Sequence, residues 1–352
     1  DNGIYASGQL KVKVGEQWFS KYKRLIYARM MTGLNQRQRI TNYQVDGSCG
    51  PYKVIPLDST RCMIIYRDWN AGVVGRVIKK DSSCNIVAVG SAVSFMSNGN
   101  WMYPNQVDAC LINTDKVAVH VGPGSRAMAV CTVSDMTITM GSSVSTYVST
   151  TVDNVTISKV DTDKFILTTH EANGNSYVRV GTVSGTTVTL GSGVSLGTSS
   201  TAMVLGDTTS TALVLYVDNT NTLQARVVSI SGTTASLNSA YPIGLTGEPC
   251  TNRVNFTKIA TGKFMTVTDG SSDGTARRKL QVITISGTVI TATLNMLTTP
   301  IQQYSYGGFV EITTNTLFNF YNFDGGGTNF VRQLNISGTT VTEGSFEQMT
   351  ND

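Results

Sequence analysis

The stretch Val183 to Leu196, VSGTTVTLGSGVSL, decides the fold, because recognisable copies of it return down the chain. They read VSDMTITMGSS at Val133 to Ser143, ISGTTASLNSA at Ile230 to Ala240, ISGTVITATLN at Ile285 to Asn295 and ISGTTVTEGSF at Ile336 to Phe346. The markers Ser134, Ser184, Ser231, Ser286 and Ser337 are separated by 50, 47, 55 and 51 residues. A period of that size is one supersecondary unit repeated, and it argues for a single closed array over two or three unrelated domains. Glycine follows serine where two right-twisted strands must reverse. Two-residue turns of this kind need positive φ, which glycine takes without steric cost.

Upstream of each hairpin lies a second marker, a turn rich in Asp, Thr and Ser that runs into an apolar β-run. Examples are LDSTRCMIIYRD from Leu57, INTDKVAVHVG from Ile112, VDTDKFILTTHE from Val160, GDTTSTALVLYVD from Gly206, IATGKFMTVTDG from Ile259 and ITTNTLFNFYNF from Ile312. A short apolar run precedes each, and a third run such as SYVRVGTVS leads into the SGTT hairpin. Four strand-length pieces of about 5 to 8 residues in every repeat are too short for helices and match the blade of a propeller. The expected fold is therefore all-β, a β-propeller of four-stranded antiparallel blades. Residues 52–352 hold six repeated blades of one domain. Residues 1–51 form either an irregular, basic first blade, making seven, or an N-terminal hairpin arm that docks the six. Within a blade the Thr-Thr-Val-Thr strand is outermost, with methyls on the sheet and hydroxyls in water.

Composition agrees with this reading and narrows the function. Charged residues are 14% and hydrophobic residues 40% of the 352. No apolar run approaches the ~18 residues needed to span a bilayer, so membrane insertion is not expected. No basic-then-apolar signal segment opens the chain, and its first residue, Asp1, suggests N-terminal trimming. The net charge of +4 is concentrated in the first fifty residues, which carry eight Lys or Arg against three acids and leave 19 against 20 elsewhere. That segment reads as a solvated basic hairpin or as a docking surface for an acidic partner. Nucleic acid is not the expected partner for the near-neutral repeats. The six cysteines show no zinc spacing, so buried free thiols are expected, with Cys62 and Cys84 neighbours at one end of a blade.

Enzyme signatures are absent: there is no GxSxG, HExxH, P-loop or dinucleotide fingerprint, and no cofactor is expected. His120 and His170 fall inside second strands and read as strand residues with satisfied rings. Acids at the second-to-third-strand turns, Asp68, Glu171, Asp218, Asp269 and Asp324, do not follow a calcium-loop spacing and read as ordinary turn residues. Blade connectivity sends the second-to-third turns and the interblade links to one face. That face receives Trp69, Trp101, Tyr103, Tyr304 and Tyr306, which are either local loop packing or a recognition platform for sugar or protein.

The SGTTVTLGS hairpin, preceded by runs such as KFILTTHEANGNSYVRVGTVS at Lys164 to Ser184, resembles the repeats of virion and tail-associated proteins of tailed bacteriophages and prophages. The resemblance spans roughly residues 52–352 and implies a non-enzymatic structural propeller in the virion, a tail fibre, nozzle, adaptor or decoration protein. Its implied partners are other virion proteins in a symmetric assembly, with a host-surface glycan or protein as a further partner. The alternative is a secreted, lectin-like carbohydrate-binding propeller. If the loop face is the recognition surface, folded Trp101→Ala and Tyr304→Ala variants lose host-cell or glycan binding by about 2 kcal/mol or more each, read as a shift in affinity. Parent-like binding by both variants shows that the loop face only covers the blades.

Overall fold

In the computed structural model, the described residues are 13–14, 17–18, 51–68, 72–81, 86–96, 107–121, 127–146, 152–243, 254–270, 277–300, 308–313, 315–323 and 328–349. They are all-β. A two-stranded hairpin, Lys13–Val14 with Gln17–Trp18, is the described part of the N-terminal segment, so the choice between a first blade and a hairpin arm lies outside the described residues. From Pro51 onward the described residues form antiparallel sheets of five, five, nine, four and four strands; the nine-stranded sheet joins two repeats through the long strand Val194–Gly206, and the six repeats traced in this way among the described residues are here called blades I to VI in chain order. Blade III shows the pattern: Val152–Asp161, Lys164–Glu171, Asn175–Ser184 and Thr187–Leu190. Blade IV repeats it with the end of Val194–Gly206, then Thr211–Asp218, Leu223–Ser231 and Thr234–Leu237.

The repeated hairpin behaves as its composition requires. Ser184 pairs with Thr187, Ser231 with Thr234, Ser286 with Val289 and Ser337 with Thr340, and the intervening glycines have φ of 58° to 61°. In blade II Asp135 stands at this position with φ 47°, so the shape survives the loss of glycine.

Second strands are buried on both faces, and this is why they read as continuous apolar runs rather than alternating ones. Ala118 packs with Phe165 and Leu167 between blades II and III. Ile166 packs with Val214 and Tyr216 between III and IV, and Leu213 with Phe264 between IV and V. Met265 packs with Leu317 between V and VI. Inside blade III, Phe165 lies over Gly181, where a Cβ would fall 2.0 Å from the ring.

First strands pair with a second strand on one edge, and neighbouring blades supply hydrogen-bonding partners beyond that pairing. The Ile157 amide donates to Asp108 Oδ2 of blade II at 2.7 Å. The Val204 and Gly206 amides of blade IV donate to Thr156 Oγ1 and Ser158 Oγ of blade III, each at 2.9 Å. The turns after the first strands are tied across in the same way: Asn113 donates to Asp163 at 2.7 Å, and the Gly262 amide donates to Asp207 at 2.7 Å.

The fourth strand departs from the expected single run in blades I to IV. In blades I and II it breaks at a glycine and resumes as Val93–Met96 and Val144–Ser145, both pairing the same third strand. The break is a close approach between blades. A Cβ on Gly90 would meet Met136 O at 2.2 Å, one on Gly141 Thr186 O at 2.5 Å, and one on Gly191 Thr233 O at 1.9 Å. Each contacted carbonyl lies in the hairpin of the next blade. Gly185, by contrast, has open space but φ +61°. Gly191→Ala therefore lowers unfolding stability by about 3 kcal/mol through steric displacement. Gly185→Ala lowers it by about 1 to 2 kcal/mol through backbone strain alone. Denaturant titration of both variants measures the order.

Candidate functional site between blades II and III

Third strands share a backbone anchor that fixes their alignment. The amides of Lys80, Val133, Val183, Ile230, Ile285 and Ile336 each donate to a carbonyl of their own blade's first turn, at 2.7 to 2.8 Å. Four residues before each anchor stand Arg76, Ala129, Arg179, Arg226, Gln281 and Arg332.

In two blades the arginine is locked by a tyrosine of the second strand. Arg76 Nε donates to Tyr66 Oη at 2.7 Å, and Arg226 Nε donates to Tyr216 Oη at 3.0 Å. The Arg226 guanidinium also lies 5.7 Å from the Tyr216 ring centroid, a cation–π distance. Tyr66 and Tyr216 are both buried. Blade V substitutes Gln281, whose Nε2 donates to Ile243 O, and blade VI pairs Arg332 with Glu343.

Blade III breaks this pattern. Ile64 faces Arg76 and Tyr66 faces Val74 in blade I; the corresponding pairs in blade III are Leu167 with Arg179 and Thr169 with Tyr177. Thr169 therefore occupies the tyrosine position, and its hydroxyl stops a whole ring short of where the phenol oxygen would be. Thr169 Oγ1 and Arg179 Nε are buried atoms that make no hydrogen bond among the described residues. Such groups are uncommon, because leaving one unmade costs about 1 to 3 kcal/mol.

The surroundings are polar. Glu171, two residues after Thr169 on the same strand face, is wholly buried. Burial of the Arg179 guanidinium lowers its pKa, while the nearby charges of Glu171 and Tyr177 oppose the shift. Gly193 lies against Arg179, and a Cβ there would sit 3.2 Å from Nε. Blade II turns His120 toward the same interface: it faces Met128 in register, and Met128 packs with Phe165 and Leu167. His120 Nε2 lies 2.8 Å from Thr146 Oγ1.

On the opposite face of blade III the polar groups satisfy one another. Ser199 Oγ donates to Ser176 Oγ at 2.6 Å, His170 Nδ1 lies 3.2 Å from Ser176 Oγ, and Thr168 Oγ1 donates to Ala202 O at 3.1 Å. That network ties blades III and IV and leaves little capacity for a ligand. Asp218 is likewise absorbed by its own turn, accepting from the Thr220 and Thr222 amides at 2.9 and 3.0 Å and from Gln224 Nε2 at 2.8 Å. No group of three or more His, Cys, Asp or Glu suited to a metal occurs among the described residues.

Trp69, Trp101, Tyr103, Tyr304 and Tyr306 lie outside the described residues, as does Cys84, the proposed neighbour of Cys62. Cys131 is a buried free thiol whose pKa burial pushes up to about 12. Sequence reading missed the Thr169–Arg179 pair, yet a signal was there. Tyrosine and arginine ten residues apart recur at 66/76 and 216/226, and 169/179 keeps the spacing without the tyrosine.

No known protein family and no curated protein matches the chain. Solved structures do match. A putative 6-phosphogluconolactonase from Bacteroides fragilis overlays with TM-score 0.57 at 5% identity, covering 88% of this chain and 89% of that one. The WD40 domain of SCAP from fission yeast overlays at 0.50 with 9% identity, covering 82% and 72%. The chain is a β-propeller. SapL1 lectin, solved with alpha methyl fucoside, overlays at only 0.46 with 10% identity over 83% and 93%, too weak a likeness to carry an argument. These proteins differ in what they do, so the shared propeller fold does not choose a function.

The turn around Asp218 has a pH signature. Burial raises its pKa, but the Thr220, Thr222 and Gln224 hydrogen bonds outweigh it, and the folded value lies below the usual 3.8. A depressed carboxylate contributes stability that is present above the unfolded pKa and is lost as pH falls through the folded one. Stability falls on acidification below about pH 4, and Asp218→Asn flattens that slope while leaving the neutral-pH pH dependence unchanged. Denaturant midpoints between pH 2 and pH 7 measure it.

Proposed function

We propose that the protein is a non-enzymatic, carbohydrate-binding propeller that takes its ligand between blades II and III. The observation that supports this reading is the pair of buried hydrogen-bonding atoms, Thr169 Oγ1 and Arg179 Nε, that make no hydrogen bond among the described residues, at an interblade interface that also holds Glu171. Sites that recognise small ligands combine a few such convergent polar groups with apolar walls. Here a cation and an anion lie close together, so the interface favours a ligand without strong net charge. Its donors and acceptors match a hydroxyl group, which accepts one hydrogen bond and donates another. Sugars present such hydroxyls in rows.

The virion reading concerns location, and it rests on the resemblance of the repeats to phage structural proteins. The two readings are compatible, since a glycan-binding propeller exposed on a virion serves host recognition, and one released from a cell serves as a lectin. A printed array of neutral and acidic glycans tests the carbohydrate reading directly. Retention of the folded protein on a subset of neutral glycans, competed by the free sugar, is the expected result. Absence of retention across the array overturns it.

A further inference from the structure

We propose that the fifty residues before Pro51 form a further blade that closes the ring between blades VI and I, seated on the face of blade I that carries Ile64, Tyr66 and Ile78. The proposal concerns how the ring is completed and does not depend on the carbohydrate reading.

The repeat itself supplies the comparison, because residues opposite one another on paired strands share a face of the sheet. In blade III, Leu167 stands opposite Arg179 and packs with Ala118 and Met128 of blade II. In blade IV, Val214 stands opposite Arg226 and packs, with Tyr216, against Ile166 and Val180 of blade III. In blade VI, Leu317 and Leu334 pack with Met265 and Val282 of blade V. The same face of each blade is thus covered by the blade before it. In blade I that face holds Ile64, opposite Arg76, and Tyr66, opposite Val74. These residues cluster with Ile78, and every member of the cluster belongs to blade I. Ile64, Tyr66, Val74 and Ile78 are nonetheless only 1 to 5% exposed. An apolar sheet face leaves water so completely only when a second layer lies over it. That layer belongs to the same chain, since the burial is that of a single copy.

Two segments are long enough to supply it. Blade VI is the neighbour in a six-bladed ring, but its core residues Leu317, Leu334 and Ile336 are committed to blade V, and no described residue of blade VI joins the blade I cluster. Successive first strands adjoin from blade I through blade VI, whereas Gly308–Thr313 of blade VI does not adjoin Pro51–Pro56 of blade I to the same extent. The opening is left for another layer. The fifty residues before Pro51 are as much chain as one repeat, whose markers lie 47 to 55 residues apart, and they lead directly into the first strand of blade I. They contain the strand candidates QLKVKV from Gln9, KRLIYARM from Lys23 and RQRITNYQV from Arg37. Lys13–Val14 and Gln17–Trp18 already pair antiparallel. On this assignment the basic segment is a fixed part of the ring and not an arm reaching toward a separate partner.

The experiment is hydrogen exchange read by mass spectrometry on the full chain, comparing the parent with Ile64→Ala and using Lys164 to Ser184 of blade III as the internal reference for global opening. Amides in residues 9–45 of the parent are expected to exchange about tenfold or more slowly than in a free peptide of the same sequence. Ile64→Ala, which thins the covered face, speeds exchange in residues 9–45 and 61–80 relative to the reference and leaves residues 308–349 unchanged. Ile64→Val removes a single methylene, a change that cores commonly tolerate, and reads the same coupling where the alanine variant does not fold. If residues 9–45 exchange as fast as the free peptide, the proposal is overturned. It is equally overturned if the Ile64 variants speed residues 308–349 in place of residues 9–45, which makes blade VI the cover of a six-bladed ring.

Discussion

Everything in this propeller depends on first strands whose amides are partnered across the interblade boundary. A strand with an open row of backbone donors is a liability unless those donors are paired or covered. Here the neighbouring blade covers them with short polar side chains. Asp108 accepts from Ile157, Thr156 from Val204, and Ser158 from Gly206. Asp108 also accepts from the Ala109 amide at 2.9 Å and pairs with Lys53, so its charge is compensated despite its burial. The constraint sets the composition of the first strands, where Asp, Thr, Ser and Asn stand among the apolar residues. It also sets the spacing of the blades, because a hydroxyl or carboxylate reaches a neighbour's amide only at close range.

Close range has a second consequence at the outer edge. The carbonyl of one blade's hairpin presses on the end of the preceding blade's fourth strand, and only glycine leaves room at Gly90, Gly141 and Gly191. Blade IV ends this strand with Asn238 instead, whose amide still donates to Val227 O at 3.1 Å, as the glycine amides donate to their third strands. The hydrogen bond is thus common to the series, and the glycine is specific to the tight contacts. Between these inner and outer seams lies the apolar middle of each interface, formed by both faces of the second strands.

The interface between blades II and III departs from this regularity at Thr169 and Arg179. The chain satisfies this arginine with a tyrosine in blades I and IV, and in blade III leaves both the arginine Nε and the threonine at the tyrosine position without a hydrogen bond among the described residues. Stability alone favours the tyrosine–arginine pair, which buries a ring and satisfies a guanidinium. Natural chains break such local consistency chiefly at functional positions. The departure is therefore where binding is sought, in preference to the well-satisfied network of Ser176, Ser199 and Thr168 on the other face of the same blade.

The sequence by itself determined the repeat, the four-strand unit and the turn chemistry. Those are local properties: the Ser-Gly pairs at 184, 231, 286 and 337 demand positive φ wherever they occur, and β-branched runs bounded by Asp and Thr turns form strands in any context. It placed His120 and His170 on second strands and read the Asp218 turn as a turn. The glycine after the fourth strand looked like part of a turn, because the carbonyl it accommodates belongs to a residue about 45 positions away in the next blade. Thr169 looked like one threonine among many. Only the register that sets Thr169 beside Arg179, and the neighbouring blade that removes both from water, makes the missing tyrosine visible. Strand, turn and period follow from neighbours along the chain, whereas unspent hydrogen bonds exist only where strands distant in sequence bury them together.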